Sequence, residues 1–326
     1  MEILSLESSV ATRERRTTDR HDRLRTPHYE LVGASGAPVI VVLGGISATR
    51  HVTTTDHDPT PGWWDDIVGR GRGIDTGQYR VLGVDFLDGG WRSDGRPQRI
   101  VTTHDQAANV ARVLDDLGVA RIHSFVGASY GGMVALAFAE RYPDRVESLV
   151  AISAPHEPHP MSTALRALQR RIVELGLDTG RGAQALAIAR GLAITTYRSA
   201  REFADRFDPA PSDVSENDAT FPVEGYLRHH GETFAARWSA ERFLALSLSG
   251  DLHRVDPAAI RTPTTIVAAE GDAIVPGEQL ETLAARLGGP ARLVHLPTTR
   301  GHDAFLTEPA AVGNIVRTAL STTKLS

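Results

Sequence analysis

The chain has 326 residues, a formal net charge of −5 and a hydrophobic fraction of 41%, values typical of a soluble globular protein. It contains no cysteine, which excludes disulfides, cysteine-ligated zinc, iron–sulfur clusters and a thiol nucleophile. The acidic balance argues against nucleic-acid binding, and no stretch approaches the ~20 apolar residues of a membrane span. The first 25 residues carry no apolar run of signal-peptide length, so we expect a cytoplasmic protein.

Strand and helix patterns alternate along the first half of the chain. Apolar runs at residues 38–43 and 79–86 are typical of strands buried on both faces of a parallel sheet. Residues 104–117 have the spacing of an amphipathic helix. A further strand ends at residue 127, and a helix rich in small residues begins shortly after it. Residues 147–153 predict the next strand.

The pattern changes between residues 155 and 253. Amphipathic segments at 161–175, 182–197, 199–207, 226–238 and 240–249 predict helices, and no strand is predicted there. Strands return at 264–269 and 292–296, with helices at 276–287 and 310–320. The sequence therefore predicts an α/β fold, a mostly parallel doubly wound sheet built from residues 1–154 and 254–326, with a helical lid inserted at 155–253.

One serine stands at a sharp strand-to-helix turn, in Gly127-Ala128-Ser129-Tyr130-Gly131. The flanking glycines lack the Cβ atoms that would clash in such a turn, so Ser129 can project its Oγ as a nucleophile. A lone G-x-S-x-G pattern is weak evidence, but a strand before it and a helix after it are the context that this motif requires. The sequence indicates a nucleophile elbow.

Two later loops carry the residues that activate an alcohol. Asp272 follows the strand at 264–269, and His302 follows the last strand. The chain order serine, aspartate, histidine is that of α/β hydrolases. We predict Ser129 as nucleophile, His302 as base and Asp272 as its orienting carboxylate, with Asp251 and Asp256 as alternatives for the carboxylate.

An acyl-transfer intermediate also needs donors for its oxyanion. The backbone N–H of Tyr130 is one candidate, and the second is expected in the turn at residues 43–46, with Leu43 and Gly44 as first choices. We expect no metal ion. Arg166, Arg170, Arg171 and Arg190 in the insertion are expected to form the solvated face of helices. The triad alone permits esterase, lipase, peptidase, thioesterase, dehalogenase-like or acyltransferase chemistry.

Several segments together resemble the homoserine O-acyltransferase family. The most specific are GGMVALAFAERYP at 131–143, TTYRS at 195–199, VEGYL at 223–227 and GHDAFL at 301–306, and the likeness extends over about residues 38–320. The run GGISA and the elbow GASYGG look more like the succinyl-transferring branch than the acetyl-transferring one. Tyr130 departs from the methionine that many members carry after the nucleophile.

The resemblance implies a ping-pong transfer in methionine biosynthesis, with no bound cofactor. Ser129 would take a succinyl group from succinyl-CoA (or acetyl from acetyl-CoA) and pass it to the hydroxyl of L-homoserine. The family's substrate-binding arginine and aspartate fall on Arg198 and Asp303, which would hold the carboxylate and ammonium of the amino acid. The resemblance also implies a homodimer through the insertion helices.

Three alternatives remain open from the sequence. The same fold could use acetyl-CoA, or serine as acceptor; it could be an ester hydrolase with an open site; or it could be a non-enzymatic binding module. The intact Ser, Asp and His set argues against the last of these.

Overall fold

The computed structural model describes residues 11–12, 27–92 and 98–322, and its centre is an eight-stranded sheet. The strands of the chain are β1 Ala11–Thr12, β2 Tyr29–Val32, β3 Val39–Leu43, β4 Arg80–Val84, β5 Ser124–Ala128, β6 Leu149–Ile152, β7 Asp213–Val214, β8 Ala219–Thr220, β9 Thr264–Ala269 and β10 Ala291–Leu296. The helices are α1 Thr103–Asp116, α2 Tyr130–Arg141, α3 Pro160–Asp178, α4 Gly182–Tyr197, α5 Ala200–Arg206, α6 Pro222–Ala235, α7 Ala240–Asp251, α8 Gly277–Arg286, α9 Ala304–Thr307 and α10 Pro309–Thr322.

The sheet order is β1-β2-β4-β3-β5-β6-β9-β10, and the six strands from β4 to β10 are parallel. The first two strands pair antiparallel at one edge. The predicted mostly parallel, doubly wound sheet is therefore confirmed. The strands β1 and β2 were not predicted, because both are short and β1 lies in a polar segment.

Strand β3 is buried on both faces, which explains its unbroken apolar sequence. Val39, Val41 and Leu43 pack into a core shared with α1, α2 and α8. Ile40 and Val42 point the other way, into a core shared with α10. All five side chains are at most 6% exposed. Helices therefore cover both faces of the sheet, and the polar loops collect at the strand ends.

Five helices, α3 to α7, run between β6 and β9 and form a layer over the carboxyl end of the sheet. Helix α4 packs between α3 and α6. The three helices share a small hydrophobic core that includes Val173, Leu186 and Phe234. The segment also contains the β7–β8 hairpin, two residues per strand and largely exposed. The prediction that this segment contains no strand is wrong at that point, since so short a hairpin has no apolar alternation to reveal it.

None of the helices in the described part of the chain is long and apolar enough to cross a membrane. We predict no signal peptide in the first 25 residues. Of these residues the structure describes only 11–12, so this prediction lies outside the described part of the chain.

Gly131 tests how tightly the start of α2 is packed against the sheet. A Cβ at this position would lie 2.3 Å from the carbonyl oxygen of Leu43, whereas a Cβ at Gly225 on the exposed side of α6 would meet nothing within 4 Å. We expect Gly131→Ala to lower the free energy of unfolding by roughly 1–3 kcal/mol or more through overpacking. Gly225→Ala should raise it by up to about 1 kcal/mol through helix propensity. Urea denaturation of both variants measures the difference, and equal effects would contradict the packing described.

Candidate active site

Ser129 occupies a strained backbone conformation between β5 and α2. Its φ of 53° and ψ of −121° lie in a region that costs a non-glycine residue about 1–3 kcal/mol. The turn is fixed from both sides: the Ser129 N–H donates to the Ile152 carbonyl at 2.8 Å, and the Gly131 N–H donates to the Gly44 carbonyl at 2.8 Å. The strain points the Ser129 side chain out of the turn, as the sequence motif predicts.

The carboxyl ends of three parallel strands bring the predicted triad together. Ser129 follows β5, Asp272 follows β9 and His302 follows β10. Ser129 Oγ lies 2.8 Å from His302 Nε2, and His302 Nδ1 lies 2.8 Å from Asp272 Oδ2. This is the arrangement in which imidazole removes a serine proton while a carboxylate fixes its tautomer.

Asp272 is held in place by its own loop. Its Oδ1 accepts hydrogen bonds from the backbone N–H groups of Ile274 (2.8 Å) and Val275 (2.9 Å), which leaves Oδ2 for the imidazole. The two alternative carboxylates lie elsewhere. Asp251 pairs with arginines of α3, and Asp256 caps the short 3₁₀ helix at Pro257–Ala259. Of the three aspartates, the geometry therefore favours Asp272 as the orienting carboxylate.

Two opposing effects act on the protonation of His302. Burial lowers its pKa, while the charge and hydrogen bond of Asp272, with a smaller contribution from the Asp303 charge, raise it. The net result is a pKa above the ordinary value of 6.5. His302 is thus a stronger base than a free imidazole, and its neutral, proton-accepting form is lost progressively as the pH falls through that raised pKa.

The triad opens into a cavity of about 230 Å³ between the sheet and the helical layer. Its floor is formed by the turn at residues 45–48 and by Ser129 and His302, and its roof by side chains of α3, α4 and α7. The roof includes Leu165, Arg166, Gln169, Arg190, Thr196, Tyr197, Leu246 and Ser247. Because the helical layer covers Ser129, substrates must enter beneath it.

The predicted oxyanion donors lie at different depths. Tyr130 lines the cavity, and no hydrogen bond within the described residues engages its backbone N–H. Leu43 and Gly44 are buried behind the cavity, where the Gly44 carbonyl accepts the Gly131 N–H. The next two residues of the same turn, Gly45 and Ile46, form the cavity wall.

The two predicted substrate-binding residues contact each other. Arg198 Nε lies 3.0 Å from Asp303 Oδ2, and Arg198 Nη1 donates to Glu202 at 3.0 Å. Asp303 lines the cavity next to His302, whereas Arg198 lies directly behind it. No hydrogen bond among the described residues engages Asp303 Oδ1, and the Asp303 side chain is 14% exposed at the cavity wall.

The expectation of solvated arginines is wrong for three of the four, and only Arg171 is exposed. Arg166 and Arg170 are 16% and 15% exposed and share the buried carboxylate of Asp251, with N–O distances of 2.5 to 2.6 Å. Arg190 stacks over Tyr197 and Phe234, 5.3 and 4.7 Å from the ring centroids, and reaches the cavity wall. Helical periodicity could not reveal the burial of Arg166 and Arg170, because Asp251 lies 85 and 81 positions after them.

The raised pKa of His302 can be measured on Ser129 itself. We expect the rate of Ser129 labelling by a fluorophosphonate to fall at acid pH, with a midpoint above 6.5, since only neutral His302 activates the serine. Asp272→Asn should move this midpoint down and slow labelling by roughly three to four orders of magnitude, because it removes the charge and the tautomer control. A wild-type midpoint below 6.5, or an unchanged midpoint in the variant, would contradict the assignment.

Comparison with known proteins agrees with this geometry. Residues 38–309 match the family model of the alpha/beta hydrolase fold. A homoserine O-succinyltransferase from Xanthomonas campestris pv. campestris is 45% identical over 95% of this chain and 82% of its own length. A serine O-succinyltransferase from Frateuria aurantia is 30% identical over 86% of this chain and 88% of its own.

Among solved structures, a homoserine O-acetyltransferase from Bacillus anthracis superimposes with a TM-score of 0.82 at 19% identity, over 90% of this chain and 91% of that one. At that identity the likeness shows the fold alone. The family model and the sequence relatives carry the assignment: this chain belongs to the homoserine O-acyltransferase family of α/β hydrolases.

Proposed function

We propose that the protein transfers a succinyl group from succinyl-CoA to the hydroxyl of L-homoserine by a ping-pong mechanism. The observation that carries the proposal is a serine triad at the floor of a lid-covered cavity, with the carboxylate of Asp303 beside the base. A covered site excludes water and so favours transfer over hydrolysis. The carboxylate supplies a partner for the ammonium of an amino-acid acceptor. The 45% identity to the Xanthomonas enzyme supports the same activity.

In the first half-reaction, Ser129 Oγ attacks the thioester carbonyl carbon while His302 Nε2 takes the serine proton. The carbonyl oxygen becomes an oxyanion, stabilised by the Tyr130 N–H and by a second N–H from Gly45 or Ile46. We place the second donor there rather than at Leu43 or Gly44, because only Gly45 and Ile46 line the cavity. The C–S bond then breaks, and CoA leaves as a thiol with the proton from His302.

In the second half-reaction, neutral His302 removes the proton of the acceptor hydroxyl. The alkoxide attacks the acyl-serine carbonyl carbon, and the same donors hold the oxyanion. The bond to Ser129 Oγ breaks, and His302 returns the proton to it. The products are the O-acyl amino acid and the free enzyme, so atoms and charge balance over the cycle.

The acceptor is bound at its charged end. Asp303 Oδ1, next to the base, takes the ammonium group. Arg198 is proposed to contact the carboxylate through Nη2, because Nη1 donates to Glu202 and Nε lies 3.0 Å from Asp303 Oδ2 in an ion pair. This arrangement leaves the side-chain hydroxyl to reach the acyl-serine.

A second carboxylate on the acyl group explains the cation in the cavity roof. Arg166 and Arg170 share one carboxylate, so this buried cluster has a net positive charge. Arg166 lines the cavity, and its charge lowers the pKa of His302, which places it within electrostatic reach of the base. An acetyl group would give this cation no partner. We therefore assign Arg166 to the distal carboxylate of succinyl.

The product would enter methionine biosynthesis, as the family resemblance implies. The absence of cysteine is compatible with a reducing cytoplasm. We also propose a homodimer through the helical layer, whose outer surface exposes Leu168, Leu175 and Ile188 at 55–67%. Sedimentation equilibrium gives the oligomeric state directly.

Free-thiol release tests the proposed function and its donor assignment together. Without acceptor, wild-type protein should release no more than one CoA per Ser129 from succinyl-CoA, and L-homoserine should give continuous release. Release should be slower with acetyl-CoA as donor or L-serine as acceptor. An acetyl-CoA preference would overturn the donor assignment, and release indifferent to acceptor would indicate a thioesterase.

Arg166→Gln should reduce the preference for succinyl-CoA over acetyl-CoA by roughly tenfold or more, since a charged hydrogen bond is lost. Asp251 keeps Arg170 as its partner in this variant, so the buried charges stay balanced. Arg171→Gln, on the exposed side of the same helix, is the matched control and should behave as wild type. An unchanged preference in Arg166→Gln would remove its role.

Arg198→Ala should raise the KM for L-homoserine by on the order of 10- to 100-fold, because it removes a charged contact and the partner of Asp303. The KM for succinyl-CoA should change little. Arg201→Ala is the control, because Arg201 is 76% exposed on the next helix and pairs with Asp205, away from the cavity. Equal increases in both KM values would exclude a role specific to the acceptor.

A further inference from the structure

A buried carboxylate lies outside the cavity, behind the residues assigned to the acceptor. Glu202 is the third residue of α5, and its side chain is 6% exposed. Its Oε1 accepts hydrogen bonds from Nη1 of Arg198 and from Nη1 of Arg300, each at 3.0 Å. Arg198 ends α4, and Arg300 stands two residues before His302. One carboxylate therefore joins the helical layer to the loop of the catalytic histidine.

Backbone contacts reinforce this junction. Ser199 Oγ accepts the Glu202 N–H at 3.1 Å and donates to the Thr299 carbonyl. Gly301 has a φ of 60°, and a Cβ there would lie 3.0 Å from the Tyr197 carbonyl oxygen and 3.3 Å from the Ser199 nitrogen. The start of α5 thus rests directly on the histidine loop, and Glu202 supplies the buried charge at that contact.

The surroundings of the Asp303 carboxylate depend on how the N–H groups of Arg198 are oriented. A guanidinium binds a single carboxylate best through two parallel N–H groups. Here Arg198 Nη1 donates to Glu202 Oε1, whereas its Nε lies 3.0 Å from Asp303 Oδ2 in an ion pair without hydrogen-bond alignment. This orientation of Arg198 leaves Asp303 Oδ1 open to the cavity. Without the Glu202 charge, Arg198 would be drawn to both oxygens of Asp303.

We infer that Glu202 is a positioning residue for the acceptor: by holding Arg198 away from Asp303 Oδ1, it keeps that oxygen available to the substrate ammonium group. Glu202 touches neither substrate nor the reacting atoms. The inference rests on the proposed function, since it concerns the acceptor end of that site. It predicts that losing the Glu202 charge weakens the second half-reaction and leaves the first intact.

Glu202→Gln isolates the charge. Glu202 Oε1 accepts both arginines, whereas Oε2 has no hydrogen-bond partner among the described residues. A glutamine can therefore place its carbonyl oxygen at Oε1 and its amide nitrogen at the vacant Oε2 position, which keeps the hydrogen bonds and the volume. Asp205→Asn is the matched control, because Asp205 lies on the same helix, pairs with Arg201 and is 69% exposed.

In Glu202→Gln we expect the KM for L-homoserine to rise roughly tenfold, the effect of losing about one charged contact. The rate of the CoA burst from succinyl-CoA without acceptor should stay within about twofold of wild type, because Ser129 and His302 are untouched. Glu202→Asp, which keeps the charge on a shorter side chain, should give an intermediate KM. Asp205→Asn should match wild type in both measurements.

An unchanged homoserine KM in Glu202→Gln, or an equal loss in burst rate, would overturn the inference. If Glu202→Gln does not fold, Glu202→Asp decides: a raised homoserine KM with a normal burst supports positioning, and any other pattern contradicts it. Wild-type protein is measured first. If wild-type protein shows no homoserine-dependent CoA release, the proposed function is rejected. If wild-type protein shows this release and Glu202→Gln has the same KM for L-homoserine, only the present inference is rejected.

Discussion

The site depends on one strained residue at the carboxyl edge of a parallel sheet. Ser129 can hold a φ of 53° only because the surrounding backbone leaves no relaxed alternative. The Ile152 carbonyl fixes the Ser129 nitrogen, and the Gly44 carbonyl fixes the start of α2. Gly131 permits the close approach to β3, since its missing Cβ would collide with Leu43. The sheet therefore stabilises the geometry that points the nucleophile toward His302.

The same edge also collects the base and its carboxylate. Parallel strands end side by side, so residues after β5, β9 and β10 meet although they are far apart in sequence. His302 is buried, which alone would lower its pKa, and Asp272 together with the charge of Asp303 more than offsets that effect. The base strength that acyl transfer needs is thus a balance between desolvation and nearby negative charge.

The helical layer lies over the cavity and also places charged side chains in its walls. Two arginines on one carboxylate leave a net cation in the cavity roof, and Arg198, shared between Asp303 and Glu202, sets the charge at the opposite, acceptor end. Buried ion pairs of this kind add little net stability, but they hold donors and acceptors at fixed positions. The proposed transfer places an anionic acyl group and a zwitterionic acceptor in one cavity, which requires such fixed charges.

Much of this could be predicted from sequence, because the signals are local. Long apolar strands such as β3 and amphipathic helices such as α1 show their periods directly, and the elbow motif carries its own context. The two-residue strands of the β7–β8 hairpin carry no period. Contacts between distant residues could not be predicted either. No residue near Arg166 in the sequence indicates its ion pair with Asp251, 85 positions later. Nor does the 43–46 turn indicate which of its N–H groups faces the cavity.

The most direct test of the account is the intact mass of the protein after mixing with succinyl-CoA in the absence of acceptor. The mechanism predicts an adduct of one succinyl group, located on Ser129 by peptide mapping, absent in Ser129→Ala and discharged when L-homoserine is added. Homoserine-dependent CoA release without any such adduct, or an adduct that survives in Ser129→Ala, would contradict a serine-linked intermediate and with it the central claim.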